Sequence, residues 1–500
     1  MVGRIGKQSA VLPLTLIVAA GAILRLLQID QAIVADETWT QLESTFSNFG
    51  DVLDYVRGPE EITPPLFTSL VWLSAKVSDA PTVLRLTSIV SGLLTIPIVY
   101  AIGIRGLRRR TALLAAGLVA LSPFLAYFSI ELRAYSLAVM LAAVSTLTML
   151  LAIDRARGGR GATGWWVAYA AASCLAMYTH YTCAYVLAVQ LVWLLVFHPQ
   201  ARRPALLANA GAAIVFLPWV PSLLDDLDAP SQDIIGTLAP LNFHNGIDFT
   251  ARFAFGNPGV PLGTFLGPVA EIALFGGLAV ALAGWFAKRG APEARPPRDR
   301  IVLFVALALA APVGVLFVSI VGDDQFLPRN LATSAPGLLL SIAALIMAGT
   351  RVTRLISGVL VVAAFGWGAI ANLQADNQRI PYDEAAEVID AEAGPDDVVL
   401  DVNPVAGGQG GAPLTPAARE LDIALEKPHE VVDAVDANAV DAGLKQARGG
   451  RMFIVGVPLF VEGTEAVLGL QGQAFLARTF AGVPPLEVRA YEIPDEGKGP

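Results

Sequence analysis

Runs of about twenty mostly apolar residues recur eleven times along this chain, at about 9–29, 83–104, 111–128, 134–153, 164–180, 182–198, 204–224, 266–287, 301–321, 331–349 and 355–373. A helix rises about 1.5 Å per residue, so roughly 20 residues cross a hydrocarbon core about 30 Å thick. In that core the backbone must satisfy its own N–H and C=O groups, which a helix does. The expected fold class is therefore an α-helical polytopic membrane protein with about 11 transmembrane helices. Composition agrees: 55% of residues are hydrophobic and 15% charged, against about 25% charged in soluble domains. Intrinsic disorder and a single soluble enzyme are excluded. No small-residue cleavage site follows the first run and Arg25 interrupts its end, so it reads as a retained helix and not a signal peptide.

Basic residues set the orientation. They cluster at Arg4/Lys7, Arg105/Arg108/Arg109/Arg110, Arg155/Arg157/Arg160, Arg202/Arg203, Lys288/Arg289/Arg295/Arg298/Arg300 and Arg351/Arg354. Every second connection is basic, as cytoplasmic loops are. The expected topology is a multi-pass protein of the cytoplasmic (inner) membrane, with a cytoplasmic N-terminus and an extracytoplasmic C-terminal domain. Residues 64–78 are apolar but too short to span. They read as a helix lying at the outer interface, started by Pro64-Pro65, with a second interfacial helix over 38–57. The external segments are then 30–82, 129–133 and 225–265, and the Pro/Gly-rich stretch 240–268 reads as an ordered loop or lid.

The tail differs in kind. From Ala375 onward there are 9 Lys+Arg and 22 Asp+Glu, a net charge of −13, whereas the first 374 residues carry +4. The expected domains are thus 1–374, transmembrane with first external loop 30–82, and 375–500, soluble and extracytoplasmic. Neither has the basic face of a nucleic-acid binder. Residues 382–392 and 414–426 read as helices and 398–402 and 451–457 as strands, a small α/β domain. The Gly-rich run 407–411 has no following Lys-Ser/Thr, so it reads as a flexible loop and not a phosphate cradle. Cys174 and Cys183 match no metal or redox spacing and read as buried small side chains.

Charge near a bilayer is costly and usually functional. Asp36 and Glu37 follow the first run closely. Glu131 and Arg133 sit in the short turn between the third and fourth runs. His180 ends the fifth, and Arg329 starts the tenth after Asp323 and Asp324. All fall on the outer side. Arginines, or a hard metal held by carboxylates, can hold a lipid phosphate, and a carboxylate can take a proton from an acceptor hydroxyl. Simpler roles exist for each: Asp36 as a helix cap, Glu37 as a solvated first-turn acid, Glu131 and Arg133 as a local ion pair, His180 as an interfacial anchor, Arg329 as a snorkelling residue.

The motifs, taken in order, resemble a known family. ADETWT (35–40) resembles the acidic motif in the first external loop of the GT-C glycosyltransferases. PPLF (64–67), LRLTSIVSGLLTIPIVYAIG (84–103), LSPFLAYFSIELRAYSLA (121–138), MYTHYT (177–182) and LPRNLATSAP (327–336) are similar to segments of its protein-mannosyltransferase and aminoarabinose-transferase-like group. The likeness covers about 1–350 and reaches the tail only loosely.

It implies a GT-C fold and an inverting transfer of a sugar from a polyprenyl-phosphate donor to an acceptor glycan, lipid or protein. Asp36 would be the catalytic base, with Glu37 as second acid. Arg133, Tyr135, Arg329 and Glu61 would contact the donor. Asp36, Glu131 and His180 would hold a divalent cation, Mg or Mn. Many relatives carry a basic residue or His before the Pro-Pro pair, where this chain has Thr63 after Glu60 and Glu61, so a donor contact is missing or moved. The competing readings are a polyprenyl-lipid or solute transporter, and a non-catalytic GT-C-like subunit of cell-envelope assembly. A transporter would show internal repeats and charges at midplane. This chain shows no clear repeat, and its charges gather at one face.

Overall fold

The computed structural model describes residues 2–34, 36–58, 61–227, 240–288, 297–403, 416–434 and 437–495, without the side chains of 2–10, 416–419 and 437. Ala35, Glu60, Arg289, Arg295, the Gly-rich run 407–411, part of segment 225–265 and the side chains of Arg4 and Lys7 lie outside the described residues. The chain divides into two compact units. One comprises Met1–Ile29 and Glu43–Asn372, the other Asp30–Leu42 and Leu373–Pro500.

The first unit is helical, and each of the eleven apolar runs is a helix. In order, the first seven runs are α1 (Val2–Leu26), α6 (Leu86–Gly103), α7 (Arg109–Leu121) with α8 (Pro123–Ile130), α9 (Tyr135–Arg157), α10 (Thr163–Met177), α11 (Cys183–Phe197) and α12 (Arg202–Phe216) with α13 (Val220–Leu227). The last four are Leu262–Ala287, Arg298–Val321, Ala335–Ala348 and Arg351–Ala371. Among the described residues seven helices are long and apolar enough to cross a membrane alone, and an eighth if the bent pair α7–α8 counts as one span. This is a multi-pass membrane protein.

The bend in the third run positions the site. α7 and α8 meet at 54°. Pro123 has no N–H to continue α7, and the Ser122 side chain caps α8 by accepting from the Leu125 N–H at 3.3 Å. The fully buried Arg25 of α1 donates to the Ala120 carbonyl (3.4 Å) and to that of Gly21 (3.0 Å). Its cation thereby meets the carbonyl end of α7. Gly92 lets α6 lie against α8: a Cβ there would come 2.0 Å from Ser129 Oγ. This packing carries the turn 131–134 between α8 and α9.

Two expectations need correction. Residues 38–57 are not one helix. They form α2 (Asp36–Ser44) and α3 (Phe49–Val56), because Asn48 stops the chain and caps α3 by accepting from the Asp51 N–H at 3.0 Å. The stretch 240–268, expected as an ordered loop or lid, is not a loop throughout. It holds a helix, Phe243–Phe255, capped by Asn242 and burying Phe249 and Phe253 on one face. The next helix starts at Leu262 and kinks at Gly267, where φ of 68° needs a residue without Cβ. The short apolar stretch 64–78 forms α4 (Leu66–Ala75) behind Pro65, and α5 (Pro81–Leu84) follows.

The second unit holds a five-stranded sheet of order β2-β1-β3-β5-β4, with β1 Val398–Asp401, β2 Glu430–Asp433, β3 Arg451–Gly456, β4 Leu476–Phe480 and β5 Leu486–Glu492. β1 pairs parallel with β2 and β3, and β5 runs antiparallel to β3 and β4. All four residues of β1 are buried, as in a parallel strand covered on both faces. Val399, Phe453 and Val488 form one core with Tyr382 and Ile389 of the helix Tyr382–Glu392. Leu400, Met452, Ile454 and Tyr491 form the other. Ala32 and Val34 pack against the first of these cores. Segment 30–42, expected within the membrane part's first loop, is thus built into the C-terminal unit by its apolar side chains.

Candidate active site

In the membrane unit, the 131–134 turn presents Arg133 to Glu61, which lies on the loop ahead of the Pro64-Pro65 start of α4. The guanidinium grips the carboxylate with two bonds, Nη1 to Oε2 at 2.8 Å and Nη2 to Oε1 at 3.2 Å. Such fork-to-fork pairing is the strong, directional form of an ion pair. Both groups are buried, with Glu61 3% and Arg133 8% exposed. Thr63 directly precedes the Pro64-Pro65 pair. Its N–H donates to Glu61 Oε1 at 3.0 Å and its hydroxyl donates to the same oxygen. Thr63 therefore orders the carboxylate that orders Arg133. Behind them Ser136 Oγ donates to the Ser88 carbonyl at 2.8 Å, tying the start of α9 to α6.

Glu43 is fully buried beside this pair. Burial, then the charge of Glu61, raise its carboxyl well above the usual range, while Arg133 and Thr68 pull it back down. A carboxyl whose charged form is disfavoured thus lies against the Glu61–Arg133 ion pair. Nothing in the sequence pattern separates Glu43 from a polar residue on a surface helix.

His180 lies on the tight turn joining α10 to α11. Its ring meets that of Tyr135 at 5.3 Å between centroids, and its Nδ1 accepts from the Thr182 N–H at 3.3 Å. Burial, then the positive charges of Arg133 and Arg329, push the imidazole down to about 4, so it is neutral at pH 7. On the same turn the Tyr181 hydroxyl donates to Asp226 and accepts from Trp219 Nε1 at 3.1 Å, an arrangement the sequence did not announce. The Leu66 N–H donates to the Tyr178 carbonyl at 2.9 Å and fastens the loop carrying Glu61 to this turn. The membrane unit therefore gathers Glu61, Arg133, Tyr135 and His180, with Arg329 near enough to act on His180.

In the second unit Asp36 and Glu37 form the first turn of α2, where carboxylates suit a helix N-terminus. Their surroundings differ. Asp36 is partly exposed, while Glu37 is 1% exposed and bound to Arg379. Among the described residues no group of three or more His, Cys, Asp and Glu side chains is placed to hold a metal ion. Of the expected cation ligands, Glu131 and His180 belong to the membrane unit and Asp36 to the other, and the charges acting on His180 are those of Arg133, Arg329 and Glu61.

Residues 63–223 match the family model for dolichyl-phosphate-mannose-protein mannosyltransferase, about a third of the chain. No curated protein matches. Among solved structures, ArnT from Cupriavidus metallidurans in the apo state superposes with a TM-score of 0.55 at 15% identity, covering 97% of this chain and 98% of that one. This chain has the GT-C fold. The GT-C likeness extends to the same ArnT bound to undecaprenyl phosphate, at a TM-score of 0.51, 15% identity and coverage of 95% and 97%. It extends also to the Archaeoglobus fulgidus oligosaccharyltransferase tethered with an acceptor peptide, at 0.51, 12% identity, and coverage of 93% of this chain and 72% of that one.

Proposed function

We propose that this GT-C protein is an inverting glycosyltransferase that moves a sugar from a polyprenyl-phosphate donor to an acceptor on the outer side of the cytoplasmic membrane. The observation carrying this reading is the buried Arg133, held in bidentate geometry beside neutral His180 and within reach of Arg329's charge. A buried guanidinium in that state can exchange a carboxylate for a phosphate, whose oxygens present the same fork. The structural relative bound to undecaprenyl phosphate supports a lipid phosphate as that ligand.

In the reaction, an acceptor nucleophile forms a bond to the anomeric carbon as the bond from that carbon to the phosphate oxygen breaks. Asp36 takes the acceptor's proton, and polyprenyl phosphate leaves with the bonding pair. Arg133 and Arg329 balance the leaving charge, and Tyr135 orients the neutral His180 alongside. A single displacement needs one base and no covalent enzyme intermediate.

Purified protein incubated with a polyprenyl-phosphate sugar and a membrane extract supplying acceptor glycan, lipid and protein should release free polyprenyl phosphate and give a glycosylated acceptor of inverted anomeric configuration by NMR. Release of free sugar with no acceptor product, or movement of intact donor across vesicles, would instead support a hydrolase or a transporter.

A further inference from the structure

We propose that Glu37 and Arg379 are positioning residues, whose buried ion pair fixes α2, and with it Asp36, onto the C-terminal sheet unit. This rests on the reading of Asp36 as the base. It assigns Glu37 a role other than second catalytic acid, and it gives residues 373–500 a part in the reaction.

The argument begins with burial. Glu37 and Arg379 side chains are 1% and 2% exposed, and the two are 342 positions apart in sequence. A carboxylate this deep is expensive unless paired, and Arg379 pairs it. Glu37 Oε2 also accepts from the Val34 N–H at 3.3 Å, closing the chain just before α2. The Arg379 N–H donates to Gln31 Oε1 at 3.4 Å, so the strap is held at a second point. Ala32 and Val34 seat in the core built by Tyr382, Ile389 and Leu486. Arg379 itself is paired through its backbone with Val483. Asp36 is the residue beside Glu37, so its backbone is fixed by groups belonging to the C-terminal unit. A carboxylate so committed to a guanidinium is a poor proton acceptor, and its neighbour Asp36 is partly exposed.

The test separates position from chemistry. Glu37→Gln keeps an oxygen acceptor for Arg379 and should retain kcat within about tenfold. Arg379→Met removes the partner. It should lower kcat about 10²-fold, the cost of an ångström-scale misplacement, while the KM for a polyprenyl-phosphate sugar donor stays within about twofold. The charge exchange Glu37→Arg with Arg379→Glu should recover kcat at least tenfold over Arg379→Met, which no catalytic carboxylate at position 37 could permit. Hydrogen exchange of peptides spanning 30–42 should accelerate in Arg379→Met and slow again in the exchanged pair. This readout needs no activity, so it still tests the strap if Asp36→Asn proves active and the base assignment fails. A Glu37→Gln enzyme as inactive as Asp36→Asn, or unchanged kcat and exchange in Arg379→Met, would overturn the proposal.

Discussion

Replacing Arg133 by leucine tests whether the Glu61–Arg133 pair is the buried, coupled unit that its geometry indicates. At about 3 Å and an effective dielectric near 20, two unit charges attract by roughly 5 kcal/mol. Both side chains are under 10% exposed, so solvent screens little of this. Arg133→Leu strands an ionised Glu61 beside Glu43, and breaking one side of a buried pair typically costs about 3–5 kcal/mol. Glu61→Leu strands the guanidinium at a similar cost. The double leucine variant has no charge left to bury and should lie within about 2 kcal/mol of wild type, because apolar replacement of both partners is often neutral. The predicted coupling from the four-protein cycle is therefore about 3 kcal/mol or more. Tryptophan-fluorescence unfolding in mixed detergent and SDS micelles measures it. A coupling below about 1 kcal/mol, the range of exposed ion pairs, would refute the reasoning and remove the preformed phosphate site with it.

Other outcomes follow from the same geometry. Arg329→Lys and Arg133→Lys should each raise the KM for donor by about tenfold and leave acceptor dependence unchanged, since lysine cannot offer the planar fork; unchanged donor kinetics in both would make them helix anchors only. Glu43 has its folded-state pKa raised, so the proton it holds stabilises the fold fully below the ordinary carboxyl range. That contribution is lost as pH rises through the raised value, so Glu43→Gln should flatten the alkaline side of the stability profile; a parallel profile would contradict the burial argument. His180 is depressed to about 4, so its contribution is present above pH 6.5 and lost as pH falls toward 4, and His180→Gln should reduce that acid sensitivity. Leu459, 71% exposed on the C-terminal unit, should as cysteine react with an impermeant thiol reagent in intact cells. Arg109→Cys should not, and Cys174 and Cys183 are buried and give little background.

The helical membrane architecture was legible because a 20-residue apolar run has one stable outcome in lipid. All eleven runs are helices, and even the break at Ser122-Pro123 is written in a cap followed by an imide. The tail was legible where burial is two-sided: VVLD and RMFIVG read as strands because a strand covered on both faces is mostly apolar. β2 and β4 were missed, since EVVD and LARTF mix charge into partly exposed positions, and β5 because LEVRAYE carries charge even in a mostly buried strand. The helix Phe243–Phe255 hid behind flanking Pro and Gly residues, its Asn242 cap unread. At the site, Arg133, Tyr135 and His180 were visible as charge or rings at run ends. The partner of Glu37 was not, because a contact across 342 residues leaves no local period or spacing. Nor was the clamp of Thr63 on Glu61, which comes from loop geometry and not from residue type.

The most direct test of the account is the single-turnover rate of sugar transfer by Asp36→Asn, with a polyprenyl-phosphate sugar as donor, in protein shown to be folded by its unfolding midpoint. Asparagine keeps the shape of the side chain and cannot take the acceptor's proton, so the rate should fall by about 10²–10⁴-fold while donor affinity stays within a few-fold. Transfer at the wild-type rate would contradict the assignment of Asp36 as the base.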